Sequence, residues 1–321
     1  MGASSEIQPR ISFIVVNRNT ADLLLECLEH LYGSALNCTP QLIVVDNGSI
    51  DDSASRARQN YPQCLVIEAG KNLGFAAANN LALARAEGEF VLLVNTDAML
   101  EKDCAQRLLD LMVDNPKVGM VGPQLLNADG TPQTSYEAVP TLATEILNRS
   151  LLKRVFPRRY PGKARALTEP EPVEALIGAV MMIRRRALEE LGGFDEDYFF
   201  FLEETDLAVR MRAAGWTVVH EPRAGAVHLQ GATAKSYQAA ARIEFYRSRY
   251  LFFQKHYGPA SMGLLKAALT ANLLLNVIFL GAAHFFTLGK ARSIGGQFRV
   301  KRELWSWHLL GCPAGPGLPR D

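Results

Sequence analysis

Between Ile11 and Gly122 short apolar runs alternate with amphipathic stretches. The runs are ISFIVV, QLIVV, CLVIE, FVLLV and VGMVG. Between them, apolar residues at helical spacing predict helices near Ala21–Leu31, after the turn DNGSIDD, near Phe75–Ala86 and near Asp103–Val113. Continuous β-branched runs separated by helices are the pattern of strands buried on both faces of a parallel sheet. The expected class is α/β, with a mainly parallel, Rossmann-like sheet flanked by helices. Ligands of such sheets sit beyond the carboxyl ends of the strands, which here are polar: Asn17, Asp46, and Asn95 to Asp97.

From Pro123 to Pro172 this periodicity breaks. The segment is rich in proline and holds Arg149, Lys153, Arg154, Arg158, Arg159, Lys163 and Arg165, with no acid between Glu145 and Glu169. It reads either as a solvated loop or as a surface for anionic headgroups or a diphosphate. The α/β pattern resumes with ALIGAVMMI, a helix at Arg185–Leu191, an acidic helix start at Glu203 and a short strand WTVVH. After a helix expected over Tyr237–His256, 23 uncharged residues lie between Lys266 and Lys290, followed by Arg292, Arg299, Lys301 and Arg302. That length can span a bilayer, but Asn272, Asn276 and His284 interrupt it. Contact with a membrane surface is expected, with a buried helical hairpin as the alternative.

The 321 residues are 48% hydrophobic and 21% charged, which suits one large folded domain with an appendage. A net charge of +1 gives no global field for nucleic acid, so no nucleic-acid partner is expected. The five cysteines are scattered, without a C-x-x-C pair, which argues against a disulfide framework and a zinc knuckle and for a reducing compartment. Only six apolar residues follow the polar start, too few for a signal peptide, so a cytoplasmic catalytic part is expected.

Several residues carry candidate chemistry. Asp46 is placed to accept hydrogen bonds from a nucleotide base or ribose, and Ser49-x-x-Asp52 reads as a capping box for the next helix. Asn72 and Gly74 precede a helix whose first turn is nearly all small residues, allowing close approach of a ligand. Asp97 closes a strand as an oxygen ligand for a hard divalent cation, and His228 is a candidate second ligand. Glu203, Glu204 and Asp206 open a helix just after the aromatic run Tyr198–Phe201. The helix dipole there lowers a carboxyl pKa and desolvation raises it, leaving the sign open.

In this order VVDNGSIDDS, NLGFAAANN, VNTD, IGAVMMIRR, GGFDEDYFFFLEETDLAVRMRAAGW and P-x-x-x-x-x-H-x-x-G resemble glycosyltransferase family 2, especially its bacterial rhamnosyltransferase-like branch, from about Ile11 to Ala234. The resemblance implies an inverting enzyme of the GT-A fold using a nucleotide-diphosphate sugar and Mg²⁺ or Mn²⁺. It implies donor-binding roles for Asn17, Asp46, Asn72, Gly74, Asn95 and Gly178, and metal ligation by Asp97 and His228. Glu204 would be the base, supported by Glu203 and Asp206, which at about 100° per residue are expected to face elsewhere. The first carboxylate of the family's D-x-D is Asn95 here, and the base position holds Glu, one methylene longer than Asp.

The implied organisation is a tail at 1–10, a GT-A domain at 11–235 and a helical, membrane-associated region at 236–321. Within the GT-A domain, 11–122 is the nucleotide-sugar half, 123–172 the basic loop and 173–235 the acceptor and catalytic half. The expected activity is transfer of a sugar, rhamnose from dTDP-rhamnose by preference, to a saccharide or polyprenyl-diphosphate-linked saccharide in cell-envelope polysaccharide synthesis at the cytoplasmic face of the inner membrane. The rivals are another donor sugar, a nucleotidyltransferase, for which VVNRNTADL offers no phosphate cradle, and a non-catalytic sugar-nucleotide-binding scaffold.

Overall fold

The computed structural model describes residues 11–147, 154–155, 167–229, 238–287 and 292–320. The N-terminal tail and most of the basic segment, including Arg149, Lys153, Arg158, Arg159, Lys163 and Arg165, lie outside the described residues. The first half runs β1 (Ile11–Asn17), α1 (Ala21–Tyr32), β2 (Gln41–Asp46), α2 (Ser53–Asn60), β3 (Leu65–Glu68), α3 (Phe75–Leu83), β4 (Phe90–Asn95), β5 (Ala98–Leu100), α4 (Cys104–Asp114) and β6 (Val118–Leu126). It continues with β7 (Tyr136–Glu137), α5 (Leu142–Ile146), β8 (Glu171–Pro172), β9 (Ala175–Leu176), β10 (Val180–Arg184), α6 (Arg185–Leu191), α7 (Glu203–Ala213), β11 (Thr217–His228), α8 (Gln238–Phe286) and α9 (Arg292–Leu309).

The α/β expectation holds. Strands β3, β2, β1 and β4 lie side by side and parallel, each linked to the next in sequence through a helix. Their apolar runs alternate between two cores, because successive strand side chains point to opposite faces. Ile11, Phe13 and Val15 of β1 join Phe90, Leu92 and Val94 of β4 under α1 and α4. Ile14 joins Ile43, Val45, Val91 and Leu93 under α3, α6 and α7.

The second half of the sheet departs from the parallel expectation. Strand β10 enters between β4 and β6 antiparallel to both, β11 then runs parallel to β6, and β5 and β8 pair with β11 antiparallel. A run such as VMMIR is apolar throughout because both its faces are covered, whichever way its neighbours run. The stretch ALIGAVMMI is also two strands, β9 and β10, broken at Ile177–Ala179. The short strand WTVVH extends to His228, passing Pro222 at a register shift between Glu221 and Gly225.

The helix expected over Tyr237–His256 and the apolar segment after it form the two arms of α8, joined at a kink where Gly258 has φ 83° and Pro259 follows. A third core packs both arms and α9 against the aromatic turn, through Tyr198, Leu202, Phe252, Phe253, Leu265 and Trp307. The turn is fastened to α8 by polar contacts too. Ser248 Oγ donates to Phe200 O at 2.7 Å, and His256 Nε2 lies 2.7 Å from Asp206 Oδ1.

Asp206 therefore serves as a buried latch. Its carboxylate also holds Arg210 at 2.7 Å, and although burial pushes its pKa upward, the bonds from His256 and Arg210 outweigh burial and hold it below the ordinary value. Replacing one partner of such a group leaves the others uncompensated. Asp206→Ala should cost about 3 kcal/mol of stability, read as a shift in the urea midpoint at unchanged slope, and a loss below about 1 kcal/mol would show that the latch carries little.

Candidate active site

Strand register brings the polar ends together. Asn17 is opposite Asp46, and Val16 opposite Asn95. Asn17 Nδ2 lies 3.4 Å from Asp46 Oδ1 and 3.2 Å from Ser49 Oγ, while Ser49 N–H donates to Asp46 Oδ2 at 3.2 Å. Ser49 is thus committed to this turn and does not cap a helix. The expected capping box is not formed, since α2 begins at Ser53, whose N–H is met by Asp51 Oδ1 at 3.2 Å.

A cleft of about 380 Å³ opens beyond these strand ends. Asn17 and Asp46 are buried beneath it rather than among its lining residues, and the adjacent Asn47 takes the wall position. Asn47 Nδ2 donates to Asn72 Oδ1 at 3.1 Å and to Gly74 O at 3.2 Å, and its Oδ1 accepts from Leu73 N at 2.8 Å. Gly74 has φ 83°, and any Cβ there would strike the Phe199 carbonyl. Glycine is required because Phe199 O must reach Phe75 N–H, at 2.8 Å, joining the start of α3 to the aromatic turn.

Asp97 and His228 converge from strands far apart in the sequence. The antiparallel pairing of His228 with Ala98, together with the bond from Leu229 N to Asp97 O at 2.9 Å, sets His228 Nε2 3.5 Å from Asp97 Oδ1. Gln133 fixes the ring. Its Nε2 donates to His228 O at 2.6 Å, which turns its Oε1 toward His228 Nδ1 at 3.2 Å. An acceptor on Nδ1 places the proton there and leaves the Nε2 lone pair facing Asp97, the arrangement by which a metal-binding imidazole is oriented. Asn95 and Thr96 line the cleft beside them. Among the described residues no three His, Cys, Asp or Glu side chains cluster as a closed cage. One carboxylate and one imidazole suit a divalent ion that takes its remaining ligands from a substrate diphosphate and water.

On the facing wall, α7 starts immediately after Phe201 and Leu202, with φ 75° and 66°. Two consecutive non-glycine residues in the left-handed region store strain of about 1–3 kcal/mol each. Glu203 and Glu204 both line the cleft, so Glu203 does not face away as the helical rotation suggested, whereas Asp206 is not among the lining residues. Burial decides the pKa sign left open by the sequence. It pushes Glu204 up to about 7, with the charge of Glu137 adding to it and backbone N–H groups opposing it. Glu203 is driven well above the ordinary range by burial and by Glu204, and its Oε2 has no hydrogen-bond partner. Gly178 lies against the Glu204 carboxyl, where an added Cβ would stand 3.3 Å from Cδ.

The model for glycosyl transferase family 2 matches residues 12–192. The N-acetylglucosaminyl-diphospho-decaprenol L-rhamnosyltransferase of Mycobacterium tuberculosis is 30% identical over 233 residues, covering 68% of this chain and 76% of the relative. The chain belongs to glycosyltransferase family 2. Another relative, the O-antigen chain rhamnosyltransferase WbaN of Salmonella anatum, is 25% identical over 71% of this chain and 68% of its own.

Solved structures agree on the fold. A mannosyltransferase from Pyrobaculum calidifontis superposes with a TM-score of 0.54 at 19% identity, covering 95% of this chain and 87% of its own. GalNAc-T7 superposes with a TM-score of 0.55 at 16% identity, covering 79% and 52% respectively. This family 2 chain therefore has the GT-A fold, with a long C-terminal helix beyond it.

Sequence motifs alone did not single out Arg18, Thr20, Asn47, Gln133, or Leu318 and Pro319, most of which line the cleft. Asn47 was legible as the neighbour of Asp46. Arg18 was likewise legible as the neighbour of Asn17, while the rest enter through loops or from the far end of the chain and carry no local signal. Gly178, whose expected role was donor binding, backs onto the carboxyl of Glu204. Gly178→Ala should lower kcat about tenfold by displacing that carboxyl, with donor affinity near wild type. Weakened donor binding at unchanged kcat would return Gly178 to the donor side.

Proposed function

We propose that this glycosyltransferase moves a deoxyhexose, rhamnose from dTDP-rhamnose, onto a lipid-linked saccharide with inversion, in cell-envelope polysaccharide synthesis at the cytoplasmic face of the inner membrane. One observation carries the catalytic part of the reading: the Asp97–His228 pair and the half-buried Glu204 line the same cleft. A leaving diphosphate and an attacking hydroxyl need a cation site and a base within one such space.

Asp97 and His228 would hold Mg²⁺ or Mn²⁺, which when bound neutralises charge on the departing nucleoside diphosphate. Arg18, also on the cleft wall, adds positive charge to the cleft. Asn47, Asn72 and Gly74 shape the nucleotide end, and Asp46 with Asn17 braces it from beneath. Glu204 takes the proton from the acceptor hydroxyl as that oxygen attacks the anomeric carbon, and a pKa near 7 suits a base that must be ionised yet retain proton affinity. Glu203, buried beside it, is likewise driven upward by burial and by Glu204, so the two carboxyls disfavour each other's ionisation.

The rhamnosyl and lipid-linked parts of the proposal rest on the relatives, two of which are named rhamnosyltransferases, one of them acting on a decaprenol-linked sugar. The distal arm of α8 supports a membrane site. Leu265, Leu269 and Leu273 pack inward, while Leu274, Leu275, Ile278, Phe279, Phe285 and Phe286 remain exposed. Helix α8 is, by length and composition, long and apolar enough to cross a membrane. An exposed apolar face of this kind marks an interface with lipid or protein.

Glu204→Gln preserves size but cannot accept a proton, so kcat should fall on the order of 10²–10⁴-fold while donor affinity stays near wild type. Normal transfer by Glu204→Gln alongside an inactive Glu203→Gln would move the base to Glu203. Asp97→Ala and excess chelator should each abolish release of dTDP from dTDP-rhamnose in the presence of acceptor, and activity surviving both would remove the metal assignment.

A further inference from the structure

The donor end of the cleft is partly walled by the chain's own C-terminal segment. After α9 the sequence GCPAGPGLPR is rich in glycine and proline. From Pro313 onward it is held by side chains of other elements. Arg247 donates to the carbonyls of Pro313 (2.7 Å) and Ala314, and Trp307 Nε1 donates to Pro313 O at 3.0 Å. Gly317 packs tightly against Arg247 and Glu244. Arg320 closes the strap. Its Nη2 meets Glu244 Oε1 at 2.7 Å, and its guanidinium lies 4.3 Å over the Phe199 ring. Glu244 is itself buried on the first arm of α8 and is also bound by Arg247 at 3.0 Å.

Two strap residues, Leu318 and Pro319, line the cleft. The decisive contact is at Asn72. Its Oδ1 accepts from Asn47 Nδ2 and Gly74 N, so Nδ2 is the part of the amide left to meet a ligand. Pro319 O accepts from that Nδ2 at 2.6 Å. A nucleotide using Asn72 must take this donor from the strap.

We infer that residues 313–320 form a self-inhibitory strap which occupies the nucleotide end of the cleft, is latched by Arg320 on Glu244, and is displaced when a nucleoside diphosphate binds. The inference rests on the donor-site reading above. A ligand that needs an open state binds with its intrinsic affinity reduced by the fraction of molecules open, so weakening the latch tightens nucleotide binding. Arg320 is half exposed and belongs to none of the three apolar cores, and Glu244 keeps Arg247 when Arg320 is replaced.

The test uses the full-length chain. Wild type, Arg320→Ala and Arg320→Glu are titrated calorimetrically with dTDP and with UDP in Mg²⁺ buffer, and hydrogen exchange of residues 314–318 is followed in the wild type with and without nucleotide. The inference expects binding at least about threefold tighter in Arg320→Glu, an intermediate gain in Arg320→Ala, and faster exchange of the strap on adding nucleotide. Equal or weaker binding in both variants, or slower exchange with nucleotide, overturns the strap and leaves the donor site standing. Failure of both nucleotides to bind any of the three proteins overturns the donor-site reading, and the strap with it.

Discussion

The site depends on one feature of the sheet, the antiparallel insertion of β10 between β4 and β6. Without it the chain would be a run of parallel strands with polar ends, able to bind a ligand but lacking a second wall. Strand β10 begins at the same edge where β4 ends, and Asn95 N–H donates to Ala179 O at 2.9 Å across that junction. The preceding loop, Ile177–Ala179, is thereby fixed beside Asn95–Asp97, and the carboxyl of Glu204 rests against Gly178. The Asp97–His228 pair and the Glu204 carboxyl are set about one cleft by a shared backbone register.

Electrostatically the second wall is unfavourable by itself. Two carboxyls open α7 side by side under aromatic residues, and the positive helix end does not offset their loss of water. The turn before them holds Phe201 and Leu202 in the left-handed region. Strain and desolvation concentrated in a few residues persist only when the surroundings fix them. Here α8 supplies the restraint, through Ser248 on Phe200 O, His256 on Asp206 and the apolar contacts of Phe252 and Phe253. The C-terminal helices thus brace the turn before Glu203 as well as offering an apolar face.

How much of this was legible in the sequence follows from how local each signal is. The strands of the first half were readable because burial on both faces leaves continuous β-branched runs. The antiparallel β10 was not, since direction leaves no mark on such a run. Asp97, His228, Glu203 and Glu204 were found by residue type and order, and the resemblance to family 2 placed them in roles. The capping role given to Ser49 failed because Asn17, from a different strand, competes for its hydroxyl. The facing of Glu203 was misjudged because two adjacent residues at a helix start, about 100° apart, can both reach one broad cleft, as Glu203 and Glu204 do. Gln133 and the strap at Leu318 and Pro319 reach the site from far along the chain, and nothing in their neighbourhoods marks them.

The central claim is that burial makes Glu204 the proton acceptor at the pH where the enzyme works. The most direct measurement is the pH dependence of kcat/KM for transfer, at saturating metal, in wild type and in Glu204→Asp. A base with a pKa pushed up to about 7 by burial must lose its proton to act, so the rate should rise with pH, bend near 7 and stay level above it. The shorter acid, set back from the same desolvated position, should keep a rising profile with its bend displaced and its plateau lowered. A wild-type profile flat from pH 5 to 8, or one that bends at the ordinary carboxylate value near 4.5, would contradict the account.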